Sequence, residues 1–148
     1  MSIIAKLKGM FKGEKEMKII LFIDGSLRKG SFNHQLAEEA EKAFAGKATV
    51  SYLDWAQVPV FSQDLEANAP ESVVKVREAI QAADAFWIFS PIYNDLIPFI
   101  RTTSAGEFTK ATVNPEAWGT GVLEISDETK ASLAAQAEAL LAAVSTEA

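Results

Sequence analysis

The stretch KIILFIDGSLRKGSFNHQLAEEA, residues 18–40, passes from an apolar run through a polar loop into helical spacing. Its first part, residues 18–23, is continuously apolar after Lys18 and rich in β-branched residues, which is typical of a strand covered on both faces of a parallel sheet. Beyond the loop, apolar residues recur at helical spacing from Phe32 to Phe44, with charged residues between them. This pattern predicts an amphipathic helix that ends near Gly46.

The rest of the chain continues the alternation of strands and helices. The further predicted elements are a strand over residues 48–55, a helix over 71–83 that begins after Pro70, a strand over 84–90, a weaker strand signal over 102–113 and a helix capped by Ser126. In the second strand we expect Val50, Tyr52 and Leu53 to be buried. Alternating strands and helices predict right-handed crossovers onto a parallel sheet, so the predicted fold class is α/β.

Composition narrows the functional classes. The chain has 148 residues, a net charge of −6, no cysteine and one histidine. The acidic balance argues against non-specific nucleic-acid binding, which needs many Lys and Arg. Without cysteine there is no disulfide, thiolate nucleophile or cysteine metal site, and one histidine makes no His cluster. We therefore expect no metal and a cytoplasmic location.

The first 16 residues mix apolar side chains with lysines. They are interpreted either as a short amphipathic helix that lies on a membrane or partner, or as a basic extension ahead of the domain. The second interpretation divides the chain into an extension, residues 1–16, and a single domain, residues 17–148. No apolar run approaches the roughly 20 residues that cross a bilayer, so we expect no membrane span.

Ligands of open parallel sheets bind beyond the carboxyl ends of the strands. In the loop after the first strand, Ser26, Ser31 and Asn33 offer hydroxyl or amide donors, Arg28 offers a bidentate clamp, and the following helix offers its first N–H groups. These features favour a phosphate site. The alternative is that Ser31 only caps the helix and Arg28 is solvated. The loop matches neither a nucleotide P-loop nor a dinucleotide fingerprint.

A second polar loop follows the third strand. Tyr93 offers a flat ring with a polar tip and Asn94 offers a donor and an acceptor, which together suit a heteroaromatic ligand. A plain turn with a packed tyrosine fits these residues equally well. We expect His34 to be an exposed helix residue rather than a catalytic base. The three tryptophans are expected to contribute core or interface bulk rather than ligand platforms.

The segments GSLRKGSFN and SPIYNDLIP, with VPVFSQDLE between them, resemble the signature segments of the NADPH-dependent FMN reductase family over residues 17–98. The resemblance implies a flavodoxin-like, doubly wound parallel sheet in three α/β/α layers. It also implies hydride transfer from NADPH or NADH through bound FMN to quinone, azo or flavin acceptors, in a homodimer or homotetramer. No catalytic acid or base is implied. The residues implied for the FMN phosphate are Ser26, Arg28, Ser31, Phe32 and Asn33, and those for the ribityl chain and isoalloxazine are Pro91, Ile92, Tyr93 and Asn94.

Two features depart from the family pattern. Asp24 stands where a small or apolar residue is usual, and its carboxylate repels a phosphate unless it faces away or pairs with Arg28. Only 27 residues, 99–125, lie between Pro98 and Ser126, too few for the strand-helix unit and flavin loop expected there. We therefore expect an incomplete sheet of three or four strands, an exposed third strand and self-association. The alternative function is a noncatalytic, truncated paralogue that binds flavin or phosphate or serves in assembly.

Overall fold

A computed structural model describes residues 17–90 and 115–146. The elements are β1 (Ile19–Asp24), α1 (Phe32–Glu41), β2 (Thr49–Tyr52), α2 (Glu71–Ala82), β3 (Ala85–Phe89), α3 (Pro115–Thr120) and α4 (Asp127–Thr146), with short 3-10 turns at Lys42–Phe44 and Gln63–Leu65. The three strands form one parallel sheet in the order β2-β1-β3. The predicted α/β class with a parallel sheet is confirmed, and within residues 17–90 and 115–146 this sheet has three strands.

The strand order creates a topological switch beside β1. Ile20 of β1 is in register with Val50 of β2 on one side and with Ala85 of β3 on the other. Right-handed crossovers in these two directions put α1 and α2 on opposite faces of the sheet. The carboxyl ends of β1 and β3 therefore border the crevice where such folds bind ligands.

The main core lies between one face of the sheet and the helices α1 and α4. Phe22 is fully buried, and its ring centroid lies 5.0 to 5.8 Å from four other aromatic rings. Ala37 and Ala40 let α1 approach the sheet, and Leu133 and Ala137 bring in α4. The apolar side chains of α1 and α4 therefore close this side of the sheet.

The opposite face of the sheet is less covered. Leu21 of β1 is buried, but Phe86 and Ile88 of β3 are 45% and 52% exposed, and no residue of α2 is fully buried. Among the described strands, β3 pairs only with β1. The exposure of Phe86 and Ile88 agrees with the apolar surface that we expect on a third strand with no second partner in the described sheet.

Helix ends agree with the sequence signals. Gly46 follows the 3-10 turn after α1 in the left-handed conformation, with φ of 72°, and the Ser126 hydroxyl accepts the Thr129 N–H at the start of α4. The helix α3 was not predicted, because Gly119 and Gly121 suggested an irregular segment. Its first residue, Pro115, is favoured at a helix start. The strand signal over residues 102–113 lies outside the described residues.

Tyr52 is more exposed than predicted. It is 37% exposed, and its hydroxyl donates a hydrogen bond to Glu41 Oε2 over 2.9 Å. Partial burial raises the pKa of Tyr52, and the bond to Glu41 raises it further. The polar tip therefore faces the edge of the sheet while the ring contacts Phe22.

Within the described ranges, no helix combines the length and apolar character that crossing a membrane requires.

Candidate functional site

The loop between β1 and α1 is fixed to the carboxyl end of β3. The Phe89 carbonyl accepts the Gly25 N–H over 2.8 Å and the Asn33 Nδ2 amide over 3.2 Å. The Asp24 carbonyl also accepts the indole N–H of Trp55 over 2.9 Å. The loop thus lies at the topological switch, where the sequence predicted a site.

Two serines shape the interior of the loop. The Ser26 hydroxyl accepts the Arg28 N–H over 3.4 Å, and the buried Ser31 hydroxyl accepts the His34 N–H over 3.0 Å as the cap of α1. Gly30 turns the chain with φ of 67°. A hydroxyl that accepts one bond still has its own proton to donate. Capping by Ser31 and anion binding by Ser31 are therefore compatible.

The first turn of α1 supplies further donors. Within the described part of the chain, the backbone N–H groups of Phe32 and Asn33 donate to no protein acceptor, as geometry requires at a helix start. They stand beside the Ser31 hydroxyl and carry the positive end of the helix dipole. This arrangement suits an anion.

Arg28 lies against a pair of aromatic rings at the loop. Its guanidinium carbon is 5.5 Å from the centre of the Phe32 ring, and Phe32 meets Trp118 of α3 edge-to-face at 5.2 Å. No carboxylate of the described residues lies within ion-pair distance of Arg28. The cation–π contact orients the guanidinium without using its hydrogen-bond donors, which leaves them for a ligand.

Asp24 pairs with His34 and not with Arg28. One carboxylate oxygen accepts the Ser26 N–H over 3.0 Å, and the other lies 3.3 Å from His34 Nδ1, with the carboxylate side chain only 14% exposed. His34 itself is half-exposed in the first turn of α1. The carboxylate thus accepts the Ser26 N–H at the base of the loop, with a ring nitrogen of His34 beside its other oxygen.

Gln35 is a residue of this region that the sequence did not single out. Its amide nitrogen donates to the carbonyls of Gly30 and Gly121, over 3.3 and 2.8 Å, and its oxygen accepts the Leu123 N–H over 2.6 Å. The segment after α3 is thereby tied to the loop. Two of the partners of Gln35 lie 86 and 88 positions later in the chain, so no local sequence pattern could predict these contacts.

The residues predicted for the FMN phosphate lie together in this loop. Two hydroxyls, two backbone N–H groups and one guanidinium, the last three without an acceptor among residues 17–90 and 115–146, form a donor set that fits a phosphate. The amide side chain of Asn33 is engaged with Phe89, so its backbone N–H is the more available donor. The four residues predicted to border the flavin ring, Pro91, Ile92, Tyr93 and Asn94, lie outside the described residues.

The parallel sheet, its topological switch and the polar loop at the start of α1 define a flavodoxin-like α/β protein. Comparison with known families identifies it further. The profile of the NADPH-dependent FMN reductase family matches residues 17–98, and the chain belongs to this family.

Similar proteins match about half of the chain. The chain is 33% identical over 79 residues to a 2-hydroxy-1,4-benzoquinone reductase of a Burkholderia species, covering 53% of this chain and 43% of the relative. It is 36% identical over 76 residues to an NAD(P)H-dependent FMN reductase of Pseudomonas aeruginosa, covering 51% and 41%. Among solved structures, FerB, a flavoenzyme NAD(P)H:(acceptor) oxidoreductase from Paracoccus denitrificans, matches with 36% identity and a TM-score of 0.49, covering 52% and 42%. The chain therefore spans about two-fifths of the length of the curated relatives it matches.

Proposed function

We propose that this chain is an NAD(P)H-dependent oxidoreductase that binds FMN and passes hydride to a small-molecule acceptor. The observation that carries the proposal is the donor-rich loop at the topological switch. Arg28 and the N–H groups of Phe32 and Asn33 have no acceptor there among the residues that the structure describes. Membership of the FMN reductase family supports the same ligand.

In this proposal the FMN phosphate binds at the start of α1. The hydroxyls of Ser26 and Ser31 and the N–H groups of Phe32 and Asn33 donate hydrogen bonds to it, and Arg28 adds a charge-assisted contact. The dipole of α1 favours the same negative charge. Residues 91–94, which directly follow the β3 strand in sequence, are assigned to the ribityl chain and the isoalloxazine ring.

When bound, FMN accepts hydride from NADPH or NADH and delivers it to the acceptor. The chain contributes binding and orientation, and no side chain is assigned as a catalytic acid or base. Acceptors of the quinone, azo or flavin class belong to the proposal, and the names of the relatives, which include a benzoquinone reductase, support the first of these. A cytoplasmic location, a basic extension over residues 1–16 and one domain over residues 17–148 belong to it as well.

Assembly as a homodimer or homotetramer is also proposed. The exposed side chains of Phe86 and Ile88 on β3 support it, because an apolar strand at the edge of the described sheet favours association.

The test is reconstitution. The purified chain is saturated with FMN, freed of unbound flavin by gel filtration, and measured for visible flavin absorbance and FMN per chain. We expect near-stoichiometric retention, and NADPH-dependent reduction of a benzoquinone that needs the added FMN. A colourless protein after gel filtration would contradict the proposal.

One rival function makes a different prediction in the same experiment. The alternative is a noncatalytic module that binds flavin through the same loop or serves in assembly. It predicts retained flavin that NADPH does not reduce. Turnover of the quinone at enzymatic rates excludes this rival.

A further inference from the structure

Asp24 brings a negative charge into a loop whose other features attract one. Its Oδ1 atom accepts the N–H of Ser26 over 3.0 Å, so the carboxylate occupies a loop donor that a bound anion would otherwise use. The carboxylate side chain is only 14% exposed. Charges in such a partly buried position are screened less than charges in water.

The surroundings hold Asp24 in place. Its carbonyl accepts the Trp55 indole N–H over 2.9 Å, and the next residue, Gly25, donates its N–H to the Phe89 carbonyl over 2.8 Å. Backbone contacts to the segments after β2 and at the end of β3 therefore prevent Asp24 from moving out of the loop. Its charge must be compensated where it stands.

His34 is the group that faces this carboxylate. Its Nδ1 atom lies 3.3 Å from Asp24 Oδ2, its Nε2 atom lies 3.7 Å from Glu38 Oε1, and its ring centre is 5.6 Å from that of Tyr52. When Nδ1 carries a proton it binds Asp24 on the oxygen that does not contact Ser26. From the first turn of α1, His34 thus brings its Nδ1 atom to the Asp24 oxygen that Ser26 does not contact.

We propose that Asp24 and His34 together set how strongly this loop holds the phosphate of a flavin. The negative charge of Asp24 lowers the affinity of the loop for the phosphate. His34 is a positioning residue that binds the carboxylate and so reduces this loss of affinity. The inference rests on the proposed flavin function and deepens it. It implies that the loop discriminates between phosphorylated and unphosphorylated flavin less than its donors alone would allow.

The experiment compares the dissociation constants of FMN and riboflavin, which differ by the phosphate, in the full chain and its variants. In Asp24→Asn the amide oxygen still accepts the Ser26 N–H and only the charge is lost. We expect this variant to bind FMN about 10-fold more tightly, with riboflavin affinity changed less than about 2-fold. An FMN-to-riboflavin preference that stays constant or falls in Asp24→Asn would overturn the inference.

His34→Gln tests the second half independently, because the side chain is half-exposed and its loss leaves the core intact. We expect weaker FMN binding in the wild-type background, by about 3-fold or more, and no such loss when Asp24→Asn is also present. Equal effects of His34→Gln in both backgrounds would overturn the coupling. Melting temperatures of all four proteins serve as the folding control.

NMR spectra of His34, the one histidine of the chain, give a measurement that does not depend on binding affinity. Its ring resonances in NMR spectra belong to a single residue, and we expect FMN to shift them more than riboflavin does. Failure of wild-type chain to bind either flavin would overturn the proposed function and this inference with it. Binding of both flavins with no response to the Asp24 substitution overturns the inference alone.

Discussion

At the residue scale, Arg28 is the charged residue of the loop that contacts the first residue of α1. Its guanidinium rests on Phe32 and meets no carboxylate among the described residues. We expect Arg28→Ala to weaken FMN binding by about 1.5–3 kcal/mol, as the loss of a charge-assisted hydrogen bond does, and to change riboflavin binding little. Lys29→Ala, which removes an adjacent exposed charge, is the matched control. Titration calorimetry measures the FMN affinity of both variants. Equal losses of affinity would show that the positive charge of the loop, and not a direct contact of Arg28, attracts the phosphate.

Asp84 fixes the start of β1 at the other end of the sheet. Its carboxylate accepts the Ile19 N–H over 2.7 Å and contacts Lys18 Nζ at 3.0 Å, and these two contacts, the backbone bond first, lower the pKa of Asp84. A folded-state pKa below the unfolded value stabilises the fold above the unfolded pKa of about 4. That contribution disappears as the pH falls through the lower folded-state value.

We therefore expect Asp84→Asn to reduce the free energy of unfolding at pH 7 and to make it less sensitive to acid below about pH 4. Urea denaturation at a series of pH values measures both effects. Asp64→Asn, in an exposed 3-10 turn, is the control. If the two variants respond to acid identically, the Ile19 contact contributes nothing to the pH dependence.

The residue types of the loop could be assigned a role from sequence, but their partners could not. Ser26 and Ser31 predict an anion site because hydroxyl residues are common at helix starts, which bind anions, and Arg28 predicts it because guanidinium forms charge-assisted hydrogen bonds. The sequence left two orientations open for the Asp24 carboxylate, either facing away from the loop or pairing with Arg28. The structure shows a third, in which the carboxylate lies beside His34. That choice depends on how the start of α1 is rotated over the end of β1, which no local pattern encodes.

At the element scale, the start of α1 is both a capped helix terminus and the proposed phosphate site. Ser31 is 2% exposed and caps the helix through the His34 N–H. We expect Ser31→Ala to lower the free energy of unfolding by about 1 kcal/mol and also to weaken FMN binding. Ser126→Ala removes the corresponding cap of α4, far from the loop in sequence, and should cost similar stability without a change in FMN affinity. Equal FMN affinities in the two variants would limit Ser31 to capping.

Gln35 joins the loop to the segment that follows α3. We expect Gln35→Ala to leave the Leu123 N–H without its acceptor and to reduce stability by about 1–2 kcal/mol. Hydrogen exchange at the Leu123 amide should accelerate. Gln35→Glu keeps the acceptor oxygen and removes the two donors, so it should preserve protection at Leu123. Rapid exchange in Gln35→Glu would show that the contacts to Gly30 and Gly121 hold the segment instead.

The described strands and the longer helices could be predicted from sequence, and the short helix α3 could not. β1, α1, α2 and α4 follow their sequence signals closely, because each has a continuous apolar face. α3 was missed because it lasts six residues and carries Gly119, so its formation depends on contacts such as the one between Trp118 and Phe32. Short helices of this kind are decided by tertiary packing rather than by propensity.

At the scale of the whole molecule, the described sheet is unevenly covered. One face holds the aromatic core around Phe22, while on the other Phe86 and Ile88 remain about half exposed. Sequence predicted an incomplete sheet from the short interval between the third strand and the last helix. It could not predict which side chains stay exposed, because strand alternation alone does not say which face α2 fails to cover.

The uneven sheet leads to a prediction about assembly. If the exposed face of β3 joins copies of the chain, a charge there should separate them, since lysine on an edge strand opposes pairing. We expect Ile88→Lys to lower the mass measured by sedimentation equilibrium, with little loss of stability because Ile88 is already 52% exposed. Val60→Lys, at a position 91% exposed in the loop after β2, controls for the added charge. An unchanged mass in Ile88→Lys beside an associated wild type would place the contact on another surface, and the apolar face of β3 would then have no part in assembly.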